Sequence, residues 1–527
     1  MLNPHPFDRR HFHAQALTAA AMAWQGLAKT DRSAHLLAAE SGQRPGVAGG
    51  VMSGDVTERS AVIWSRSDRP GRMWVEVAAT EEFKNPRRFP GPETLVANDL
   101  TAKVQLTGLP EGESLCYRVQ FEDLDFPGKF GAPAVGHLRT AQSVNTAAKR
   151  DVSFVWSGDV AGQGFGIDPA RGGMIGFEAV RKLQPDFFVH CGDHIYADNP
   201  IPSEIQLPDG TIWKNLTTPE TSKVAETIDE FRGRYRYNLL DDHYRRFHAE
   251  IPVISLWDDH EVLNNWYPGE QLTKDMRYSV KSASLLSTYA RRAFFDYMPI
   301  AETSVAPGRI FRKVSYGPLL EMFCLDMRSF RGPNDTNRQT TATDYLGRRQ
   351  VQWLKKQLAA SNATWKVICA DMPIGLVVPD DVDHFEALAN ADDGPPLGRE
   401  LELADLLRSM KQSQVRNVIW ITADVHYAAS NYYDPATAAF SEFEGFWEFV
   451  SGPLHAVTFG PQKLDKTFGL QTKFSVRDTI PPGTHAPSEG YQYFGHVQIN
   501  AQTKVLTVTH YNIAGENLWS IVLPPQM

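Results

Sequence analysis

Short apolar runs that stop abruptly at an acidic or histidine residue are the feature of this chain that most restricts its fold. Val152-Ser-Phe-Val-Trp156 leads into Ser157-Gly-Asp159, and Phe187 to Cys191 stops at Gly192-Asp193. Pro252 to Trp257 is followed by Asp258-Asp259-His260-Glu261, and Asn417 to Ile421 by Thr-Ala-Asp424-Val-His426. Lys366 to Cys369 leads into Ala370-Asp371. Runs that short, bounded by glycine or acid, suit buried strands of an α/β sheet. The residue after each strand then emerges at the carboxyl edge, where open α/β sheets place their ligands. One acid after a strand is ordinary. Five such ends in a chain of alternating strands and helices are hard to explain as solubility alone.

The intervening stretches fit that frame. Met174, Phe177, Val180 and Leu183 form a helical stripe within Gly172 to Leu183, so residues 152–191 read as a parallel strand-helix-strand unit. Arg349 to Ala360 reads as another helix. Residues 200–245, polar and interrupted by Pro202, Pro208 and Pro219, read as an irregular insertion near the mouth of a site, followed by a helix toward Phe247. The tail from Tyr491 to Leu523 returns to β alternation. The aromatic run Phe446-Trp447-Glu-Phe449 could line a substrate mouth or belong to the core.

Before residue 150 the pattern changes. Ser60 to Ser65, Met73 to Ala78, Ala102 to Leu106 and Leu115 to Phe121 alternate with period two and are separated by turns such as Pro70-Gly71. Residues 45–145 therefore read as a small antiparallel β-sandwich with no chemical constellation of its own. Residues 1–40 read as a leader. Arg9-Arg10 precedes a weakly apolar, alanine-rich stretch that resembles a Tat export signal, although His13 stands where such signals usually carry an apolar residue. The stretch is too short and polar to span a membrane. A solvated N-terminal helix is the plain alternative. Export would place the protein in the periplasm or outside the cell.

The 527 residues, 42% hydrophobic, suffice for a large core and about two domains. A net charge of -9 gives no nucleic-acid footprint, so any phosphate recognition must come from a local site. Cys116, Cys191, Cys324 and Cys369 show neither zinc spacing nor a disulfide framework.

Asp193 with Tyr196 three residues on is an all-oxygen pair suited to a hard cation such as Fe(III). The phrase Gly192-Asp-x-x-Tyr-Ala-Asp198 resembles a metal motif of purple acid phosphatases and of alkaline phosphatase D (PhoD-like) enzymes. Trp257-Asp-Asp-His-Glu261, with Asn264-Asn265 behind it, resembles the same family, as do Gly50 to Val56 and Ile63 to Arg66 near the start. The five strand ends resemble the calcineurin-like metallophosphatase pattern. The fold implied is α+β/α/β: an N-terminal antiparallel β-sandwich followed, over 150–527, by a metallophosphatase αββα sandwich.

The resemblance also implies a metal-dependent phosphoester hydrolase that uses a metal-bound hydroxide on small phosphomonoesters or phosphodiesters. Asp159, Asp193, Tyr196 and His426 would hold a first cation, Fe(III). Asp193, Asp259, Asp371 and Asp424 would hold a second. His260 would face the phosphate as catalytic acid or orienter beside the leaving group, the plain alternative being a satisfied core histidine, and Asn264 and Asn265 are candidate phosphate donors or, equally, turn caps. Asp159 stands where many alkaline phosphatase D proteins have cysteine. The second set offers only carboxylate oxygen, which favours Ca(II), Mg(II) or Mn(II) over zinc. Five aspartates, a tyrosinate and a hydroxide carry seven negative charges; Fe(III) with one Ca(II) supplies five positive charges and with two Ca(II) seven, which leaves room for a second calcium. Arg328, in Asp326-x-Arg328, could clamp phosphate or pair internally; Arg171 could bind an anion at a helix start. The competing class is a secreted binding or structural protein with a degenerate, metal-free site. Its mark would be missing ligand positions, and here all are filled.

Overall fold

In the computed structural model residues 44–303 and 305–526 are described; the leader expected at residues 1–40 lies outside them. Strands of the three large sheets are numbered here in chain order. Seven precede residue 140: β1 (Val47–Gly54), β2 (Ser60–Ser67), β3 (Gly71–Ala78), β4 (Arg87–Thr94), β5 (Thr101–Thr107), β6 (Ser114–Glu122) and β7 (Ala134–Arg139). The order β4-β3-β6-β7 makes one antiparallel sheet. It packs on β1, β2 and β5 through Val51, Ile63, Val75, Tyr117 and Phe121. The alternation of the sequence is thus the alternation between this core and solvent.

The second of these sheets does not end there. β1 runs parallel to β10 (Val253–Ser255), with Gly54 opposite Val253. A nine-stranded sheet results, in the order β20-β19-β18-β8-β9-β10-β1-β2-β5. Here β8 is Val152–Ser157, β9 Phe187–His190, β18 Tyr493–Ile499, β19 Leu506–Asn512 and β20 Asn517–Leu523. A seven-stranded sheet faces it, with β11 (Arg312–Ser315), β12 (Leu320–Cys324), β13 (Trp365–Cys369), β14 (Val418–Thr422), β15 (Ala429–Tyr433), β16 (Phe446–Val450) and β17 (Leu470–Ser475) in the order β11-β12-β13-β14-β16-β15-β17. Between the sheets lie Phe154, Trp156, Phe187, Leu256, Met322, Val367, Ile421 and Phe449, all buried. Each such side chain contributes roughly 1.5–3 kcal/mol by leaving water.

Helices cover both outer faces. On the nine-stranded sheet lie α1 (Ile175–Lys182), α2 (Ile228–Asn238), α3 (Asp242–Glu250) and α4 (Ala283–Tyr297); on the other lie α5 (Arg348–Ala360) and α6 (Glu400–Gln412). This is the αββα layering expected from the sequence, preceded by the β-rich segment. β8 and β9 are parallel, as read. α1 starts at Ile175 rather than Gly172, because Gly172 (φ 91°) and Gly173 (φ 67°) lie outside helical backbone space. The expectation of an irregular 200–245 is corrected: α2 crosses it, capped by a reciprocal pair between Thr227 and Glu230. The aromatic run is β16, with Phe446 and Phe449 buried, so it belongs to the core. Among the described residues no helix is long and apolar enough to cross a membrane.

One buried ion pair ties the N-terminal strands to both large sheets. Asp55, just after β1, accepts from Arg312 Nε (2.8 Å) and Nη2 (2.7 Å), while Arg312 Nη1 donates to the Ser255 carbonyl at 3.0 Å. Removing one partner strands a buried charge, which costs about 3–5 kcal/mol. Asp55→Ala is therefore expected to lose about 3–5 kcal/mol in denaturant unfolding; a loss under about 1 kcal/mol, the level of a surface pair, would contradict this role.

Candidate active site

The carboxyl ends of the parallel strands from both sheets converge. β8 delivers Asp159; β9 delivers Asp193, Tyr196 and Asp198; β10 delivers Asp258, Asp259, His260 and Glu261. From the facing sheet β12 delivers Asp326 and Arg328, β13 Asp371, and β14 Asp424 and His426. Three groups of side chains offer ligand atoms within 4.8 Å of one another: Asp159, Asp193 and His426; Asp193, Asp259 and His260; and Asp258, Asp259 and Asp424. Asp193 belongs to the first two groups and Asp259 to the last two, so the groups form one continuous centre.

Main-chain hydrogen bonds stitch the loops that carry these residues. Val160 N donates to Asp193 O (2.9 Å), His455 N to Asp159 O (3.0 Å), Ala423 N to Asp371 O (2.8 Å) and Ala197 N to His260 O (2.8 Å). Glu261 is the internal brace. Its carboxylate accepts from the backbone N–H of Asp193 (3.0 Å), His194 (2.7 Å) and Asp258 (2.6 Å). Close approach requires glycine at Gly192 (φ 115°), where a Cβ would meet Asp258 Cβ at 2.4 Å. Asp159, Asp193, Asp424 and His426 all have φ between 54° and 65°. Left-handed backbone in a non-glycine residue costs about 1–3 kcal/mol and concentrates at functional sites. Four such residues in one cluster are held there by the surrounding loops.

The site is electrostatically incomplete on its own. Both carboxylate oxygens of Asp159, Oδ1 of Asp259 and Oδ1 of Asp371 are buried without a hydrogen-bond partner. Burial, with the Asp424 carboxylate beside it, pushes the Asp159 carboxyl well above its ordinary range. Burial likewise raises Asp193, only partly opposed by His260. Asp424 is pushed up to about 7 and Glu261 to about 8, in both cases chiefly by burial. Buried acids raised this way demand a counter-cation or a proton. Orphaned carboxylate oxygens around shared ligands fit bound hard cations.

His426 is held neutral. Burial drives its imidazole down to about 3, its Nδ1 donates to the Val457 carbonyl, and its Nε2 faces Tyr196 Oη (2.9 Å) and Asp159 Oδ1 (3.4 Å). Fixing one ring nitrogen so that the other points at a cation is the usual arrangement of metal-binding histidines. His260 is the reverse case. Burial disfavours its charge, but Asp198, Asp259 and Asp193 outweigh burial and lift its pKa well above the ordinary value. Its Nδ1 donates to Asp198 Oδ1 at 2.7 Å, and its Nε2 lies 4.0 Å from Asp259 Oδ2. Asn265 N donates to Asp259 Oδ2 at 2.6 Å and its side chain to Asp380 Oδ1 at 2.8 Å; Asn264 N donates to Asp198 Oδ2 at 3.1 Å.

All eight metal-ligand and catalytic candidates read from the sequence therefore meet in one place, with one qualification. Asp371 belongs to none of the three groups that could hold an ion; its Oδ2 accepts from Arg328 Nε at 2.8 Å, and its Oδ1 is buried without a partner. Arg328 pairs internally, but with Asp258, Asp371 and Glu386; the Asp326 carboxylate is taken by the Trp257 indole N–H at 2.9 Å and by Ser329 N. Arg171 is occupied by Thr211 and the Ile212 carbonyl. Sequence reasoning gave no role to Asp198 or Glu261 and offered Asp258 only as a residue that could hold the loop by hydrogen bonds. The first closes the Gly-Asp-x-x-Tyr-Ala-Asp phrase and the other two flank Asp259-His260, so the motifs themselves pointed to them.

The sequence profile of the PhoD-like phosphatase family matches residues 154–510, and that of the PhoD-like phosphatase N-terminal domain matches residues 31–142. The chain belongs to the PhoD-like phosphatase family. It is 28% identical over 306 residues to alkaline phosphatase D of Bacillus subtilis (strain 168), a match covering 55% of this chain and 49% of that protein, so it spans about half the length of the curated relative. Its fold is similar to the solved structure of PhoD (TM-score 0.67, 18% identity, covering 91% of this chain and 90% of that one). It is also similar to the purple acid phosphatase PPD1 from yellow lupin (Lupinus luteus) seeds (TM-score 0.56, 13% identity, covering 91% and 74%).

Raised carboxyl pKa values have a definite sign in linkage. Asp424 and Glu261 bind protons more tightly folded than unfolded, so their contribution is present at low pH and lost as pH rises through about 7 and about 8. Metal-stripped protein is expected to lose stability between about pH 5 and pH 8, and loaded protein to lose that slope. Denaturant unfolding of both forms across this range checks it; a stripped protein that grows more stable toward pH 8 would contradict it.

Proposed function

We propose that this protein is a metal-dependent phosphoester hydrolase acting on small phosphomonoesters or phosphodiesters. The observation that carries the reading is the cluster of buried, unpartnered carboxylate oxygens beside the His260–Asp198 pair. The family and the relative named alkaline phosphatase D support it. Asp159, Asp193, Tyr196 and His426 would hold Fe(III), and Asp193, Asp259, Asp371 and Asp424 would hold Ca(II), with Mn(II) or Mg(II) as substitutes at the all-oxygen position. Bound cations there would neutralise phosphoryl oxygens and lower the pKa of a water. We also read residues 1–40 as an export leader to the periplasm or beyond, 45–145 as a packing domain and 150–527 as the catalytic unit.

The chain's own residues define the rest of the reaction. Tyr196 needs a cation to ionise, since burial and then Asp193 and Asp159 hold its phenol well above the ordinary value. Asp198 fixes His260 through Nδ1, leaving Nε2 to give a proton to the departing alkoxide. The carboxylates around His260 keep that proton on the imidazole at neutral pH. Asn265 braces Asp259 and Asn264 braces Asp198 from their backbone N–H groups, and their side chains are the candidate phosphate donors.

Protein produced with iron is expected to carry about one iron per chain and a visible tyrosinate-to-iron band. Tyr196→Phe should bleach the band; a colourless, iron-free and fully active protein would refute the first cation. His260→Ala should retain its metals and lose on the order of 10²- to 10⁴-fold in rate. The loss should shrink for phenyl esters whose leaving group is a weak base. Equal losses across such a series, or loss of metal with activity, would remove His260 from the acid role.

A further inference from the structure

Arg328 reaches the carboxylates of several strand ends at once, and its position bears on how many metals the centre takes. Its side chain is fully buried. Nε donates to Asp258 Oδ1 and Asp371 Oδ2, both at 2.8 Å. Nη2 also contacts Asp258, and lies 3.5 Å from Asp424 Oδ1 and 3.9 Å from Asp259 Oδ1. Nη1 contacts Glu386, which also takes Arg331 Nη1 at 3.3 Å. The guanidinium thus lies against Asp258, Asp259 and Asp424, the third of the groups spaced to hold an ion. A planar fork of five donors suits several carboxylates as no point charge does. A divalent ion seated at Asp258 in that group would face this fixed positive charge across a few ångströms of buried interior, where like charges repel strongly, whereas Asp193, which the second cation would also use, makes no ion pair with the guanidinium.

We propose that Arg328 takes the place of a third cation and limits this centre to two metal ions. The inference rests on the metal-centre reading above and adds its stoichiometry. Asp371 then serves two cations at once: Oδ2 goes to the guanidinium, and the buried, unpartnered Oδ1 is left for a metal. Asp258 is held as Arg328's counter-ion and is not a metal ligand. The room for a second calcium that a simple charge count leaves is filled by the arginine.

The test is metal analysis of the purified holoprotein after equilibration with excess calcium, together with melting temperatures. The wild-type chain is expected to hold two metal ions and no third. Arg328→Gln, which keeps hydrogen-bonding capacity but no charge, is expected to gain one calcium per chain. Its melting temperature should fall in chelator and recover with calcium by more than the wild type gains. Arg328→Lys, which restores a positive charge, should return to the wild-type count. Three metals in the wild type overturn the proposal even if Arg328→Gln does not fold. A folded Arg328→Gln with no extra calcium and no calcium-dependent recovery also overturns it, since a merely structural arginine gives that result. A wild-type chain with no metal at all overturns the metal-centre reading itself.

Discussion

Like charge gathered out of water is the constraint on which the rest of this structure depends. Asp159, Asp193, Asp258, Asp259 and Asp371 are all at most 2% exposed, and Asp424 lies among them. An isolated buried carboxylate is costly and lifts its own pKa until it is neutral. Several within a few ångströms are tolerable only with positive charge between them. The protein supplies part of that charge, as Arg328 on one side and a protonated His260 on the other. Both oxygens of Asp159 and one each of Asp259 and Asp371 are left without partners. The left-handed backbone at Asp159, Asp193, Asp424 and His426 is a second cost of the same kind, borne by the loops and by Glu261 bridging three of their amides.

The architecture follows from needing many strand ends at one edge. A single parallel sheet brings a few loops together; two facing sheets double the number, and the packed layer of Phe154, Trp156, Ile421 and Phe449 fixes their separation. The C-terminal strands add on beyond β8 without contributing to the centre. Strand β1 extends the same sheet on the other side, so the N-terminal β region is continuous with the catalytic sheet and locked by Asp55 on Arg312.

The centre was legible in the sequence because the strands that build it are short apolar runs and the acidic and histidine residues that gather there follow them directly. Asp159, Asp193, Asp259 and Asp424 each stand within two residues of a glycine, tryptophan or alanine that ends such a run. What could not be read was partnership across long separations. Arg328 meets carboxylates from 43 to 96 residues away, and nothing near Asp326-x-Arg328 announces them. Helix α2 was missed because Pro202, Pro208 and Pro219 and the many charges of residues 200–245 suggest an irregular segment. Arg232 and Arg234 are in fact buried, on Asp296 and on the carbonyls of Asn199 and Lys223. The capping phrase Thr227-x-x-Glu230 was the available signal. The continuity of β1 with β10 was hidden for a similar reason, since a strand's sequence states its faces and not its neighbours.

The central claim is that these buried carboxylates exist to hold cations. Anomalous diffraction from crystals of protein grown with iron and calcium, measured on both sides of the iron edge, tests it most directly. The account predicts an iron peak within bonding reach of Asp159, Asp193 and His426, and a second, lighter peak bounded by Asp193, Asp259 and Asp424. An empty centre, with Asp159 hydrogen-bonded to water or to a rearranged side chain, would contradict it.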